Sequence, residues 1–321
     1  MVAISLQIEG QMGLTWPRWK RLVAEVEALG FAGLYRSDHF THPSPPDKDS
    51  LELIVSLTYL AEHTQRVHFG SLVAPLSFRH PALLVRQAAA LDDLSGGRMI
   101  LGVGTGWEER EHHLFGYDLG DVPTRLARLE EGLEVITRLL QSDEPVTYEG
   151  RFYQLRGATL LPRPQRCGGP PILIGGNGLH RTLPLVARYA DIWNAQLLNP
   201  EEFQERSSYL DVLLSEAGRP LQSVRRTLYC WLYFGRTMEE LDQILNWRHE
   251  SAELAHQPLD EVIQVLRTKE WLNRLVGTPE MVVEQIHAYA NAGVEELILT
   301  WFDMDNMEAL RGFAESILPC V

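Results

Sequence analysis

One pattern recurs along the chain: an amphipathic stretch, a glycine, then a short apolar run. Trp16–Leu29 carries Leu22, Val26 and Leu29 on one face of a 3.6-residue period and is followed by Gly30. This predicts a helix with a left-handed stop, and then a strand at Phe31–Tyr35. Near the other end Thr278 stands in the N-cap position, with Pro279 suited to the first turn of a helix running to Gly293. A strand at Val294–Thr300 follows. Apolar runs at Ala3–Ile8, Val67–Val73, Met99–Val103, Ile172–Ile174, Asp191–Ala195 and Thr227–Tyr233 bring the expected strands to eight.

Strands that alternate with helices and read as unbroken apolar runs predict a parallel sheet covered on both faces. Eight of them predict a single-domain α/β protein over 1–321, a (β/α)8 TIM barrel. A barrel needs about 250 residues, so the surplus falls in insertions. One is expected after strand four, at about 141–171, where Pro145 precedes a hairpin-like Tyr148–Leu155 turning at Glu149-Gly150. The other is expected after strand seven, at about 236–275, with two further helical stretches. No linker or low-complexity tract interrupts the chain.

Composition narrows the class. The 321 residues are 45% hydrophobic and 22% charged, as in an ordinary packed protein, and the formal charge is −14. Nucleic acid and anionic membranes need a positive footprint, so neither is an expected partner. The longest stretch without Asp, Glu, Lys or Arg is Cys167–His180, broken by Pro and Gly and too short for the roughly 20 residues a bilayer requires. Cys167, Cys230 and Cys320 are widely spaced with no Cys-x-x-Cys pair, as expected in a reducing compartment. The segment Met1–Ile8 has no basic leader and meets Glu9 too early for a signal core. A cytoplasmic protein is the expectation.

In such a barrel the chemistry lies on loops at the C-terminal ends of the strands. Strand one ends at Glu9, flanked by Gln7 and Gln11, which reads either as a polar pocket lining or as a solvated loop. Strand two ends in Asp38-His39. Histidine titrates near neutrality and suits acid–base work, but neighbours on an extended strand point to opposite sides, so these two are not expected to bond each other. Strand three ends in Ser71-Leu72, with Arg79 at the next helix start. Strand seven carries Tyr229 and Trp231, aromatic residues that suit the barrel wall or a planar ligand.

Two glycine loops stand out. Gly102-Val103-Gly104-Thr105-Gly106-Trp107 after strand four and Gly175-Gly176-Asn177-Gly178 after strand five let a ligand approach the backbone, each ahead of a helix N-terminus. The first run lies in the fourth unit and lacks Gly-x-Gly-x-x-Gly spacing, which argues against a Rossmann fold. Neither a P-loop nor a Gly-x-Ser-x-Gly nucleophile elbow occurs. Glu108/His112 and Glu109/His113 have the helical spacing of zinc ligands, but no third ligand is apparent. A charged helix face is the reading adopted, and no metal is expected.

Four segments occur in order: Ser37-Asp38-His39-Phe40; Arg79-His80-Pro81; Ser95-Gly96-Gly97-Arg98 leading to the glycine run; and Ile174-Gly175-Gly176-Asn177-Gly178. Together they resemble the bacterial-luciferase-like superfamily of (β/α)8 oxidoreductases, in its coenzyme F420-dependent branch, from about Leu6 to Phe302. The resemblance implies a deazaflavin ring in the barrel mouth beside Asp38 and His39. It also implies a non-proline cis peptide at Ser71-Leu72, contacts from Gly104, Thr105 and Gly106 to the ribityl chain, and a phosphate at Gly175, Gly176 and Asn177. Sugar-phosphate dehydrogenases of this family carry a glutamate directly after the glycine run. Trp107 stands there instead, implying a more apolar or planar substrate, with Glu9 and Trp231 also at the pocket.

The activity this implies is hydride transfer between F420 and a small organic substrate, with His39 handling the proton. The alternatives are an FMN-dependent monooxygenase using reduced flavin and O2, and a non-catalytic flavin- or deazaflavin-binding protein. Arg79, Arg163, Arg166 and Arg181 are candidates for the acidic F420 tail. A homodimer and a flavin or F420 reductase are the partners such a family member would have.

Overall fold

The computed structural model describes residues 2–248, 257–268 and 273–321. Parts of the second expected insertion, residues 249–256 and 269–272, lie outside the described residues. In chain order the elements are β1 (Ala3–Ile8), α1 (Trp16–Leu29), β2 (Gly33–Arg36), α2 (Leu53–His63), β3 (His68–Ser71) and β4 (Ala74–Pro75). Then come α3 (Pro81–Leu94), β5 (Met99–Gly104), α4 (Glu109–Phe115), α5 (Val122–Gln141), β6 (Val146–Glu149) and β7 (Gln154–Ala158). β8 (Ile172–Gly175), α6 (Thr182–Tyr189), β9 (Ile192–Gln196), α7 (Pro200–Glu216), β10 (Arg225–Phe234) and α8 (Met238–Arg248) follow. The last are α9 (Leu259–Thr268), β11 (Leu275–Gly277), α10 (Pro279–Asn291), β12 (Glu296–Thr300) and α11 (Met307–Ile317).

β1, β2, β3 with β4, β5, β8, β9, β10 and β12 pair in parallel, each with the next, and β12 closes the ring on β1 through Ser5↔Ile298 and Gln7↔Thr300. All eight expected barrel strands are present. Their apolar runs are buried because side chains on one face fill the barrel and those on the other meet the helices. Tyr35, Ile100, Leu173, Ile192 and Ile298 pack in the interior, whereas Leu6, Leu34 and Leu101 join the strand–helix core.

Helix α1 has the expected limits, and Gly30 ends it at φ 95°, a left-handed conformation that favours glycine. Thr278 occupies the N-cap position of α10, but its hydroxyl donates to Glu280 Oε2 (3.1 Å) rather than accepting from the helix backbone. The first insertion is the antiparallel β6–β7 hairpin, with Glu149 opposite Gln154. The second contains α8 and α9 and a strand not foreseen, β11, which pairs with the C-terminal part of β10 from Leu232 to Phe234. Three residues between polar neighbours are too few to register as a period.

The cis peptide is corrected by one residue, from Ser71-Leu72 to Leu72-Val73. Ser71 and the Leu72 N–H remain in the strand ladder: Ser71 Oγ donates to Gly102 O (2.7 Å) and the Leu72 N–H to Arg36 O (2.7 Å). The break in pairing falls after Leu72, before β4 resumes against β5.

Candidate functional site at the barrel mouth

Among the described residues, the side chain that completes the strand-two site comes from α4, a helix the sequence presents as a run of charges. Glu108, Glu111 and His112 face inward and are buried, while Glu109 and His113 face solvent. Glu111 Oε1 lies 2.7 Å from His39 Nδ1, and its Oε2 accepts the Phe40 N–H at 2.8 Å. One carboxylate thus fixes both the ring and the backbone of the strand-two loop. Burial lowers the His39 pKa, but the bond to Glu111 and its charge outweigh this, so the net shift is upward. With Nδ1 held by Glu111, Nε2 is the nitrogen left to exchange a proton. Trp107, exposed over 59% of its surface, meets the His39 ring edge-on at 5.5 Å and 73°.

Asp38, past the end of β2, pairs elsewhere. Its Oδ2 lies 2.6 Å from Arg79 Nη1, and Arg79 Nη2 reaches Glu52 Oε1 at 2.5 Å, tying the site to the start of α2. Burial pushes the Asp38 carboxyl up to about 6, against the opposing pull of Arg79. Arg79 is therefore occupied within the site wall.

At the end of the neighbouring strand β1, Glu9 Oε2 accepts from Gln11 Nε2 (2.7 Å) and Oε1 from the Tyr229 hydroxyl (3.1 Å). The Trp231 Nε1–H donates in turn to the Tyr229 oxygen (2.9 Å). Burial, and then the Glu9 charge, raise the Tyr229 phenol well above its ordinary range, so it stays a donor. Arg274 lies over the Trp231 ring, 4.5 Å from its centroid. Glu9 and Trp231 thus belong to one hydrogen-bonded wall.

The two glycine loops differ in what they need glycine for. A Cβ on Gly102 would lie 1.9 Å from Ser71 O, and one on Gly104 2.5 Å from Val73 Cγ2. These two glycines let β5 press against the β3–β4 segment. Gly106 has φ 76° and accepts from Arg125 Nη1 at its carbonyl (3.0 Å), beside Thr105. Gly175 is different. A Cβ there would have no neighbour closer than about 3.6 Å, with Val73 and the Gln196 amide flanking the space. Gly175 is partly exposed, so its bare backbone forms a shallow cradle between them. Beyond it, the Gly176 N–H donates to Asn194 O (2.9 Å), and the Asn177 amide is clamped on both the N–H (2.9 Å) and C=O (2.8 Å) of Gln196. These bonds shape the loop that leads into α6.

The zinc-like pairs do not form ligand sets. His112 Nδ1 lies 2.6 Å from Glu108 O and Nε2 2.7 Å from Ser77 Oγ, while Glu109 and His113 are exposed. Among the described residues no cluster of His, Cys, Asp and Glu has the form of a metal site, and no helix is long and apolar enough to cross a membrane.

An F420-dependent glucose-6-phosphate dehydrogenase of Microbacterium testaceum is 30% identical over 308 residues, covering 91% of this chain and 90% of that protein. The 4-hydroxyprotoasukamycin monooxygenase of Streptomyces nodosus subsp. asukaensis is also 30% identical, over 275 residues and 68% of its length. The fold is shared with an F420-dependent secondary alcohol dehydrogenase solved with an F420–acetone adduct, at a TM-score of 0.81, 19% identity and 100% coverage of this chain. The family model for luciferase-like monooxygenases matches residues 4–296, and the chain belongs to that family.

Proposed function

We propose that the protein is an oxidoreductase that transfers a hydride between coenzyme F420 and a small organic substrate. The observation that carries this is the His39–Glu111 pair at the C-terminal end of β2, on the same barrel mouth as the Gly175 backbone at the end of β8, in a chain whose full-length relatives include F420-dependent dehydrogenases. The cradle and the loop beyond it fit the cofactor. A flat ring would lie on the bare Gly175 backbone beside Val73, and Thr105 and Gly106 would border its side chain. Gly178 and Arg181 stand where a phosphate would meet the start of α6. When bound, F420 supplies hydride acceptance or donation at its C5 carbon.

The chain supplies the rest. In alcohol oxidation the carbon–hydrogen pair leaves as hydride, and the hydroxyl proton passes to His39 Nε2, leaving a carbonyl. The reverse direction returns that proton from the imidazolium. Glu111 orients the ring and stabilises the imidazolium, as a carboxylate does for a general base. The wall of Glu9, Tyr229 and Trp231 limits water at the reacting atoms. Asp38 acts through Arg79 as a positioning residue for the loop that bears His39.

The test is turnover of F420 with secondary alcohols by the parent protein and by His39→Ala, after showing that both bind the cofactor. Loss of turnover with binding retained supports the assignment; equal rates across pH contradict it. The monooxygenase relative favours a second reading, FMN chemistry with O2 and a separate flavin reductase, which oxygen uptake dependent on reduced FMN would reveal. Cofactor binding without turnover over a wide substrate panel would support a non-catalytic role. A homodimer in the cytoplasm is the proposed working form, with α2 and α3, which expose Val55 and Leu83, as the face a second copy would cover.

A further inference from the structure

Aromatic side chains not used by the barrel collect on one side of the mouth. Phe40, the residue after His39, stacks on Phe78 at 4.4 Å and meets Phe115 at 5.2 Å and Tyr117 at 5.8 Å. Phe115 stands one helical turn beyond Glu111 on α4 and is 57% exposed; Trp107, on the near side, is 59% exposed. Apolar rings gathered in water mark a binding surface more often than scattered ones do. This strip is continuous with the proposed chemistry, because the same Glu111 carboxylate holds His39 and the Phe40 backbone.

The charge around the strip selects its occupant. Glu9, Asp38, Glu108 and Glu111 line this side of the mouth. The nearby guanidiniums are engaged: Arg79 by Asp38 and Glu52, Arg110 by Asp47, and Arg125 by the Gly106 carbonyl. A phosphate brought here would meet carboxylates, with Arg79 and Arg110 already ion-paired and Arg125 turned onto a backbone carbonyl. A neutral ring system would cover exposed aromatic surface and lose no ion hydration.

We infer that Trp107, Phe40, Phe115 and Tyr117 form a platform for a neutral, apolar, planar substrate whose reacting carbon sits at His39 and whose body extends outward over the rings. This deepens the hydride-transfer function proposed above and rests on it for the reacting end alone. It sets the protein apart from a sugar-phosphate dehydrogenase.

The test measures binding of 2-acetonaphthone, acetone and glucose 6-phosphate to the parent and to a Trp107→Ala/Phe115→Ala variant, each with and without F420. Both substituted side chains are exposed, and the thermal transition of the variant checks its folding. The naphthyl ketone should bind the parent at least about tenfold more tightly than acetone, and the variant should lose about that factor while holding acetone as before. Equal binding of the two ketones, tighter binding of glucose 6-phosphate, or no effect of the double substitution would overturn the inference. So would a fall in the variant's molecular mass, which would make the strip a contact between copies. Failure of F420 to bind would instead defeat the hydride function, while naphthyl-ketone binding that depends on Trp107 would still uphold the platform.

Discussion

Glu111 and His39 are 72 positions apart in the chain and 2.7 Å apart at the barrel mouth. The carboxylate is buried and the imidazole half-covered, so their charges interact in a setting where water screens them weakly. The pairing gives the histidine a fixed orientation and a raised pKa in one contact.

Glu111→Gln should therefore move the titration of His39 downward. In alcohol oxidation the base form is the active one, so the acidic limb of the kcat/KM profile should shift to lower pH in the variant. The maximal rate should fall by about 10²-fold or more, because the amide stabilises the imidazolium less. Stability follows the same linkage. A histidine whose folded pKa is raised contributes fully below its unfolded pKa and loses that contribution as pH rises through the folded value. The gap in unfolding free energy between parent and variant should be widest in acid and narrow toward alkaline pH, as denaturant titrations at several pH values would show.

Asp38 makes the opposite kind of bargain with burial. Its carboxyl, normally near 3.8, titrates at about 6, so its stabilising contribution is present below the unfolded value and is lost as pH rises through 6. Asp38→Asn removes that titration. Whatever constant cost the substitution brings by depriving Arg79 of a partner, the variant should gain on the parent between pH 4 and 7 in melting-temperature difference.

Gly102 and Gly175 stand on adjacent strands and should respond differently to one added methyl. Gly102→Ala would set a Cβ 1.9 Å from a backbone oxygen and should prevent the barrel from closing, seen as loss of soluble folded protein. Gly175→Ala meets only ordinary contacts and should fold normally, but it fills the cradle. Its affinity for F420 should drop by about tenfold or more in a fluorescence titration.

The other end of the barrel supplies a control. Glu296, fully buried at the start of β12, accepts from Ser5 Oγ at 2.5 Å and lies 2.9 Å from His68 Nε2. Arg225 Nη2 sits 2.8 Å from its other oxygen, an ion-pair contact outside hydrogen-bond angles. Burial raises the Glu296 pKa, but His68, Arg225 and Ser5 together bring it below the ordinary carboxylate value. Glu296→Gln should cost about 3 kcal/mol of unfolding free energy at neutral pH. That difference should shrink as pH falls through the depressed pKa, and turnover should be unchanged, since the cluster lies at the N-terminal face.

The barrel is legible in the sequence because its strands are apolar on both faces, which leaves unbroken runs such as Met-Ile-Leu-Gly-Val-Gly at β5. Half of the proposed catalytic pair is legible for a related reason: His39 lies just past the C-terminal end of β2. Glu111 is not. In Glu108-Glu109-Arg110-Glu111-His112-His113 every position is polar, so no apolar period marks which face turns inward. The inward face emerges only when Glu108, Glu111 and His112 are set at i, i+3 and i+4. Gly102 and Gly104 read as ligand-facing because a bulge pressing from another strand leaves no local trace. The Asp38–Arg79–Glu52 chain joins two successive units, with Asp38 and Glu52 at the two ends of the segment between β2 and α2 and Arg79 ahead of α3, and only the closed barrel brings them together.

The most direct measurement is a pair of fluorescence titrations of the purified protein, one with F420 and one with FMN, repeated on Gly175→Ala. Saturable binding of F420, weaker or absent binding of FMN, and loss of F420 affinity in the variant are the predicted result. Binding of FMN in preference to F420, or F420 binding that Gly175→Ala leaves unchanged, would contradict the proposed hydride chemistry or the assigned cradle respectively.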